Sequence, residues 1–213
     1  MIGDEEMKIK ICGITTEQEI VWLNELGVDY AGFVVFFEKS KRNVSIDRAK
    51  ELLFHIQDPV TAVAVTVEPS LAQIREIEEA GFDMIQIHGN IDLNDLKEVS
   101  IPVWKAFNVK DMKDFACYEN CEKITGYVFD AQTPGSGQTF DWSELELLPE
   151  TDKQIMLAGG LEPDNVADAV RLSGDIIDGV DTSSGVENDS GVGKNKRKLE
   201  RFVDEVRCLQ NGG

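Results

Sequence analysis

The sequence has 213 residues, of which 42% are hydrophobic, and it carries a formal net charge of −19 at pH 7. Single-domain α/β barrels commonly have about 200–250 residues, so the chain is long enough for one such enzyme domain. The negative charge argues against nucleic acid and anionic membranes as partners, because both select basic surfaces. The net charge does not argue against a small anionic ligand, because backbone N–H groups and one or two cations can bind such a ligand locally.

The chain shows no feature of a membrane or secreted protein. Its longest apolar runs, such as YAGFVVFF at 30–37, are too short to cross a bilayer. The opening MIGDEEM is acidic, which does not fit a secretory signal, so a cytoplasmic protein is predicted. The four cysteines lack metal-ligand spacing and only two histidines accompany them. We therefore expect no metal and no other cofactor.

Apolar, β-branched segments alternate with amphipathic segments along the chain. The predicted strands cover residues 8–14, 29–36, 61–67, 83–89, 102–107, 125–131, 154–160 and 176–183. The predicted helices cover residues 16–27, 45–56, 70–81, 92–99, 109–120, 140–148, 162–174 and 195–206. The strands are continuous apolar runs, as expected when both faces are covered. Several helices begin at Ser, Thr or Asp, and two end at Gly27 and Gly81, which are common helix boundaries.

A strand followed by a helix, eight times over, predicts an α/β protein with a (β/α)8 TIM barrel in a single domain. The alternative is a doubly wound open sheet, which usually has a glycine-rich phosphate loop after its first strand. Here CGIT follows the first strand, and the glycine-rich turns come after the sixth, seventh and eighth strands. The barrel is therefore preferred. Its predicted bounds are 8–207, between a flexible extension at 1–7 and a frayed tail at 208–213.

The carboxyl ends of the strands and the loops that follow them form the active face of such a barrel. The candidate residues there are Cys12, Arg42, His88, Asp130, Gly159, Gly160, Asp181, Ser183, Ser184 and Gly185. The turns AGG and DTSSG, after the seventh and eighth strands, favour a phosphate site because their backbone N–H groups can approach an anion closely. The alternative is that these glycines only turn the chain.

The remaining candidates each have a chemical and a structural interpretation. Cys12 is a general base if it is ionised, or a small buried residue of the core. Asp130 is a general acid if apolar neighbours keep it protonated, or a residue that caps a turn. Arg42 binds a substrate carboxylate or is merely solvated, and His88 orients a ligand or is a buried imidazole. The residues alone leave these alternatives open.

Six segments resemble the phosphoribosylanthranilate isomerase family of tryptophan biosynthesis. They are KICGIT, FEKSKRNVS, IQIHGN, VFDAQTPGSGQTFDW, LAGGLEPDNV and GVDTSSGVE, which occur in the order and near the spacing of that family. The resemblance runs from Lys8 to about Val206, almost the whole chain. KICGIT and FDAQTPGSGQTFDW are the most specific of these strings.

The resemblance implies an Amadori rearrangement without a cofactor, in which an N-linked aldose phosphate becomes a 1-amino-1-deoxyketose. It implies that Asp130 is the general acid that opens the furanose ring and that Cys12 is the general base that removes the C2′ proton. Arg42 takes the position that holds the anthranilate carboxylate. The AGG and SSG turns hold the phosphate, and Asp181 and His88 line the site.

The sequence departs from the family pattern in two places. The loop PGSGQTF is shorter than usual, and Gln138 stands where the family commonly has lysine. Ser190 and Asn195 stand in the usual places of Pro and Asp before the last helix. The family pattern therefore does not predict the conformation of that segment. Neither departure involves Cys12 or Asp130.

Two other functions fit part of the same pattern. The related sugar isomerase of histidine biosynthesis performs the same rearrangement on a substrate with two phosphates, but it uses aspartate at the end of the first strand, where this chain has Cys12. A barrel that only binds a phosphosugar needs the phosphate turns but neither proton-transfer residue. The expected partner is a small-molecule phosphosugar, with no nucleic acid and no membrane, and the chain is expected to be a monomer or a homodimer.

Overall fold

The computed structural model describes residues 6–109, 111–112, 114–130 and 149–210. Its strands are β1 (Lys8–Cys12), β2 (Tyr30–Val35), β3 (Thr61–Val67), β4 (Met84–His88), β5 (Val103–Asn108), β6 (Ile124–Asp130), β7 (Gln154–Ala158) and β8 (Gly179–Thr182). Each strand pairs in parallel with the next along the chain, and β8 pairs with β1, which closes the sheet into a barrel. The predicted (β/α)8 barrel is confirmed, and all eight predicted strands are present.

Helices follow the strands in the described part of the chain. They are α1 (Glu17–Leu26), α2 (Ile46–Leu53), α3 (Leu71–Ala80), α4 (Leu93–Lys97), α5 (Phe115–Glu119), α6 (Val166–Ser173) and α7 (Lys196–Gln210). Thr16 and Ser70 begin α1 and α3 with capping boxes, in which each side chain accepts a backbone N–H bond from the first turn. Gly27 and Gly81 end the same helices in the left-handed conformation. The predicted helix at 140–148 and Gln138 lie outside the described residues.

Three details differ from the sequence prediction. Within the segment predicted as a helix at 109–120, the structure has the shorter helix Phe115–Glu119, and the short strand Asn43–Val44, which pairs with β2, was not predicted. The last helix continues to Gln210, so it extends into the segment predicted as a frayed tail. The departure at Asn195 leaves the start of this helix intact, because its Oδ1 accepts the N–H of Lys198 at 3.2 Å. Asn and Asp are equally good residues at such a cap.

Apolar side chains form two layers, inside the barrel and between the barrel and its helices. On β1, Ile9 and Ile11 belong to the outer layer. Cys12 packs instead against the inner cluster, which includes Val34, Trp104 and Met156. Since successive residues of a strand face opposite sides, this alternation places the side chains of Lys10 and Cys12 inside the barrel. Among the described residues, no helix is long and apolar enough to span a membrane.

Candidate active site

A cavity of about 340 Å³ opens at the carboxyl ends of the strands. Nine of the ten candidate residues line it: Cys12, Arg42, His88, Asp130, Gly159, Gly160, Asp181, Ser183 and Ser184. The tenth, Gly185, packs against the chain behind the cavity, where an added Cβ would lie 2.0 Å from the carbonyl oxygen of Leu161. The barrel therefore gathers at one site residues that are spread over most of the sequence.

The thiol and the carboxylate come from separate strand ends. Cys12 is the last residue of β1, and Asp130 is the last residue of β6. Both are partly exposed to the cavity that they line. A ligand held in this cavity contacts a possible proton donor and a possible proton acceptor from different walls.

Asp181 is paired with a lysine inside the barrel. Its Cα is opposite that of Lys10 in the β1–β8 register, and Lys10 Nζ donates a hydrogen bond of 2.7 Å to Asp181 Oδ2. Burial raises the pKa of Asp181, against the opposing attraction of the Lys10 and Lys194 ammonium groups. Asp181 Oδ1 has no hydrogen-bond partner in the described part of the chain.

His88 is a neutral imidazole at physiological pH. Burial, assisted by the positive charges of Lys10 and Lys105, lowers the pKa of His88 to about 4. Its Nε2 lies 2.8 Å from the side-chain amide of Gln86, with which it shares a hydrogen bond. A neutral imidazole keeps one N–H group and one acceptor nitrogen, so His88 can donate or accept a hydrogen bond without carrying a charge.

Arg42 is held by a carboxylate behind the cavity. Its Nε donates to Glu187 Oε1, and Lys41 Nζ donates to Glu187 Oε2 at 2.8 Å. The stem of Arg42 lies against Gly13, where an added Cβ would be 2.4 Å from the arginine Cδ. Within the described residues, the guanidinium hydrogen-bonds only to Glu187 and only through Nε, so its terminal nitrogens can bind an anionic ligand in the cavity.

The two glycine-containing turns lie next to each other at the rim. Gly159 and Gly160 have positive φ angles of 103° and 66°, which bring the backbone close to the cavity. The side chain of Thr182 joins the turns by donating to the carbonyl oxygen of Leu161 at 2.6 Å. Ser183 Oγ donates to the Cys12 carbonyl oxygen at 2.9 Å, so this turn is also fixed to β1.

Three buried oxygen atoms in the cavity wall lack a protein partner. Within the described residues they are Thr66 Oγ1, Gln86 Oε1 and Asp181 Oδ1, and all three residues line the cavity. Buried polar atoms are nearly always hydrogen-bonded in folded proteins. Thr66, Gln86 and Asp181 therefore give the cavity a polar wall beside its apolar side chains.

Comparison with known proteins identifies the family. The model of the family described as N-(5′-phosphoribosyl)anthranilate (PRA) isomerase matches residues 9–205. The chain belongs to this family. The N-(5′-phosphoribosyl)anthranilate isomerase of Streptococcus mutans is 37% identical over 202 residues, which cover 94% of this chain and 98% of the relative.

Solved structures of PRA isomerases have the same fold. The crystal structure of the enzyme from Thermotoga maritima has a TM-score of 0.80 and 30% identity, covering 95% of this chain and 100% of its own. A PRA isomerase in complex with reduced 1-(o-carboxyphenylamino)-1-deoxyribulose 5-phosphate has a TM-score of 0.77 and 28% identity, with the same two coverages. The predicted function, phosphoribosylanthranilate isomerase of tryptophan biosynthesis, is confirmed.

The PRA isomerase cavity contains residues that the sequence prediction missed. Thr66 and Gln86 line it, and Lys10, Glu187 and Lys194 lie behind it, bound to the lining residues Asp181, Arg42 and Ser183. One of them carries a signal in the sequence: a lysine within the apolar strand KIKIC is unusual, because buried lysines need a partner. The others are ordinary polar residues whose importance depends on the fold.

The neutral state of His88 predicts a pH effect on stability. A histidine has an ordinary pKa of about 6.5 in the unfolded chain, so the unfolded state binds the proton first as the pH falls. The contribution of neutral His88 to the unfolding free energy is therefore complete above pH 6.5, and it is lost as the pH falls towards the folded-state pKa of about 4. Between pH 7 and 4.5, wild type should lose roughly 2 kcal/mol more unfolding free energy than His88→Gln. Urea unfolding at both pH values measures this, and the exposed His55 provides the control His55→Gln. Equal losses in wild type and His88→Gln would contradict it.

Proposed function

We propose that this cavity converts N-(5′-phosphoribosyl)anthranilate into 1-(2-carboxyphenylamino)-1-deoxyribulose 5-phosphate, with Cys12 and Asp130 transferring the protons. The observation that carries the proposal is the composition of one cavity. It joins a thiol, a carboxylate and an arginine to two glycine-containing turns. These groups match the substrate's acidic C–H bond, its ring oxygen, its carboxylate and its phosphate.

The reaction begins with opening of the furanose ring. Asp130 gives its proton to the ring oxygen, and the bond between that oxygen and C1′ breaks. The nitrogen lone pair of the anthranilate forms a C=N bond to C1′ at the same time, which produces a protonated Schiff base. General acid catalysis of this kind lowers the barrier because the departing oxygen leaves as a neutral hydroxyl.

Cys12 then acts as the base. Its thiolate removes the proton from C2′, and the electrons of the C–H bond form a C1′=C2′ double bond while the C=N bond returns its electrons to nitrogen. The resulting enolamine takes up a proton at C1′ and loses the proton of its C2′ hydroxyl, which gives the ketone. The Schiff base is essential here, because its positive nitrogen accepts the electrons that are released when the C2′ proton is removed.

The remaining groups hold the substrate. In the proposal, Arg42 binds the anthranilate carboxylate, and the Gly159–Gly160 and Ser183–Ser184 turns bind the phosphate. Asp181 and Gln86 line the cavity, and in the proposal their side-chain oxygens accept hydrogen bonds from the ribose hydroxyls. All these groups come from one chain, so a monomer and a homodimer would each carry complete sites.

Arg42→Ala is expected to raise KM for the phosphoribosyl substrate by roughly 10- to 100-fold, the scale of one charge-assisted hydrogen-bonding group, with a smaller effect on kcat. The anthranilate carboxylate is not attached to the reacting carbons C1′ and C2′, so its contact with Arg42 is equally strong in the ground state and in the transition state. Steady-state kinetics measures both constants. Arg48→Ala removes an arginine that pairs with Glu17 on the surface and should leave them unchanged. A large fall in kcat alone in Arg42→Ala would contradict the assignment.

The activity itself is tested by following the fluorescence of freshly generated N-(5′-phosphoribosyl)anthranilate. Rapid consumption by the purified protein, with formation of the deoxyribulose product, is the expected result. Binding of the product analogue without turnover would instead favour a barrel that only binds a phosphosugar. Turnover of the histidine-pathway substrate alone would favour the other sugar isomerase.

A further inference from the structure

Lys10 is a buried lysine to which the reaction above gives no role. It lies on β1, two residues before Cys12, and its relative exposure is 0%. Lysine is almost never fully buried unless it is paired. A lysine in this position costs stability, so its charge needs an explanation beyond packing.

Two acidic side chains meet the Lys10 ammonium. The first is Asp181, which accepts its hydrogen bond of 2.7 Å. The second is Cys12. Burial by itself would lower the pKa of Lys10, but the hydrogen-bonded Asp181 and the neighbouring Cys12 outweigh burial and leave that pKa above its usual value. The ammonium therefore stays charged beside the thiol, and Asp181 uses only one of its three N–H donors.

Gly32 provides the space in which the two groups meet. Its Cα is opposite that of Cys12 in the β1–β2 register. A Cβ at Gly32 would lie 3.1 Å from Cys12 Sγ and 3.2 Å from Lys10 Nζ. The thiol and the ammonium thus converge on the space left by the missing side chain.

Lys194 is a second lysine near Cys12, and it is engaged elsewhere. Its Nζ donates to the carbonyl oxygen of Ser183 at 3.0 Å and lies 3.8 Å from Glu187. Burial lowers the pKa of Lys194, although the charges of Cys12 and Glu187 oppose this effect. Lys10 is therefore the better partner for a negative charge on the sulfur.

We propose that Lys10 is the counter-ion of the Cys12 thiolate. Its ammonium donates a hydrogen bond to Sγ, which keeps the base ionised and aimed at the C2′ proton, and Asp181 holds the ammonium in place. The proposal rests on the proposed role of Cys12 as the base. A free cysteine is only a few per cent thiolate at neutral pH, and a neighbouring cation is a common way to activate one.

The test compares Lys10→Met with Lys10→Arg, which keeps the charge, and with Lys8→Met, which removes a half-exposed lysine from the same strand. Lys10→Met should lower kcat by roughly 10- to 100-fold, the scale of a hydrogen bond to a charged group, and change KM less than about threefold. Lys10→Arg should recover part of kcat, and Lys8→Met should match wild type. A kcat of Lys10→Met within about threefold of wild type would overturn the proposal.

Thiol alkylation gives a readout that a purely structural role would not change. Iodoacetamide reacts with thiolates, and peptide mass spectrometry separates Cys12 from the exposed Cys117 and Cys208. In Lys10→Met at neutral pH, alkylation of Cys12 should slow by about the same factor as kcat, while the two exposed cysteines react as in wild type. An unchanged rate at Cys12 would contradict the proposal.

A double-mutant cycle separates failure of this proposal from failure of the proposed reaction. If Lys10 acts through Cys12, Lys10→Met should cost little further kcat in a Cys12→Ser background. Full activity of Cys12→Ser alone would refute the proposed base, whereas an inactive Cys12→Ser with a normal Lys10→Met would refute only the role of Lys10. If Lys10→Met does not fold, nitrogen-15 NMR of the wild-type lysine ammonium groups decides the question. Alkylation of Cys12 should shift the Lys10 signal and leave that of Lys8 in place, and an unmoved Lys10 signal would overturn the proposal.

Discussion

Replacement of Cys12 by serine is expected to lower kcat by roughly 10²- to 10⁴-fold, the usual contribution of a general base. Serine keeps the size of the side chain and a hydroxyl at the same place, but an alcohol is hardly ionised at neutral pH. The variant should therefore fold and bind substrate like wild type while losing proton removal from C2′. Steady-state fluorescence assays of substrate consumption measure the loss.

Two further measurements make this result specific to the base. Cys208→Ser changes an exposed cysteine on α7 and should have wild-type kinetics. Substrate with deuterium at C2′ should show a larger isotope effect in Cys12→Ser than in wild type, because proton removal becomes the slow step. A kcat near that of wild type would remove Cys12 from the mechanism.

The sequence predicted the barrel because its signals are local. Each strand is an apolar run, as in TAVAVTV at 61–67, and helix boundaries are marked by residues such as Thr16 and Gly27. The parallel barrel then follows from the alternation of strands and helices. The strand ends carry the candidate site residues, so the fold itself brought Cys12 and Asp130 to one cavity.

The supporting residues were less predictable because their roles depend on strand register and loop packing. Glu187 reaches Arg42 from a segment 145 residues away in the sequence. Lys10 meets Asp181 only because β8 closes the barrel against β1. The short strand Asn43–Val44 has no apolar run of its own and depends on pairing with β2. These contacts join segments that are far apart in the sequence, so no pattern within one segment could predict them.

Replacement of Asp130 by asparagine is expected to lower kcat by roughly 10²- to 10⁴-fold as well, through a different step. Asparagine has the same shape and still forms hydrogen bonds, but it has no proton to give to the ring oxygen. The furanose ring should then open slowly, before Cys12 is needed. The fluorescence assay measures the loss, with Asp164→Asn as the control, because Asp164 pairs with Arg201 on the surface.

The two substitutions should differ in what they leave intact. The reduced product analogue is already an open chain, so Asp130→Asn should bind it within about threefold of wild type, since binding needs no proton transfer. Ring opening breaks no C2′–H bond, so deuterium at C2′ should have little effect on turnover of Asp130→Asn. Cys12→Ser should show the opposite pattern, with a large isotope effect. Equal isotope effects in the two variants would mean that the acid and the base do not act in separate steps, and the assignment of Asp130 to ring opening would fail.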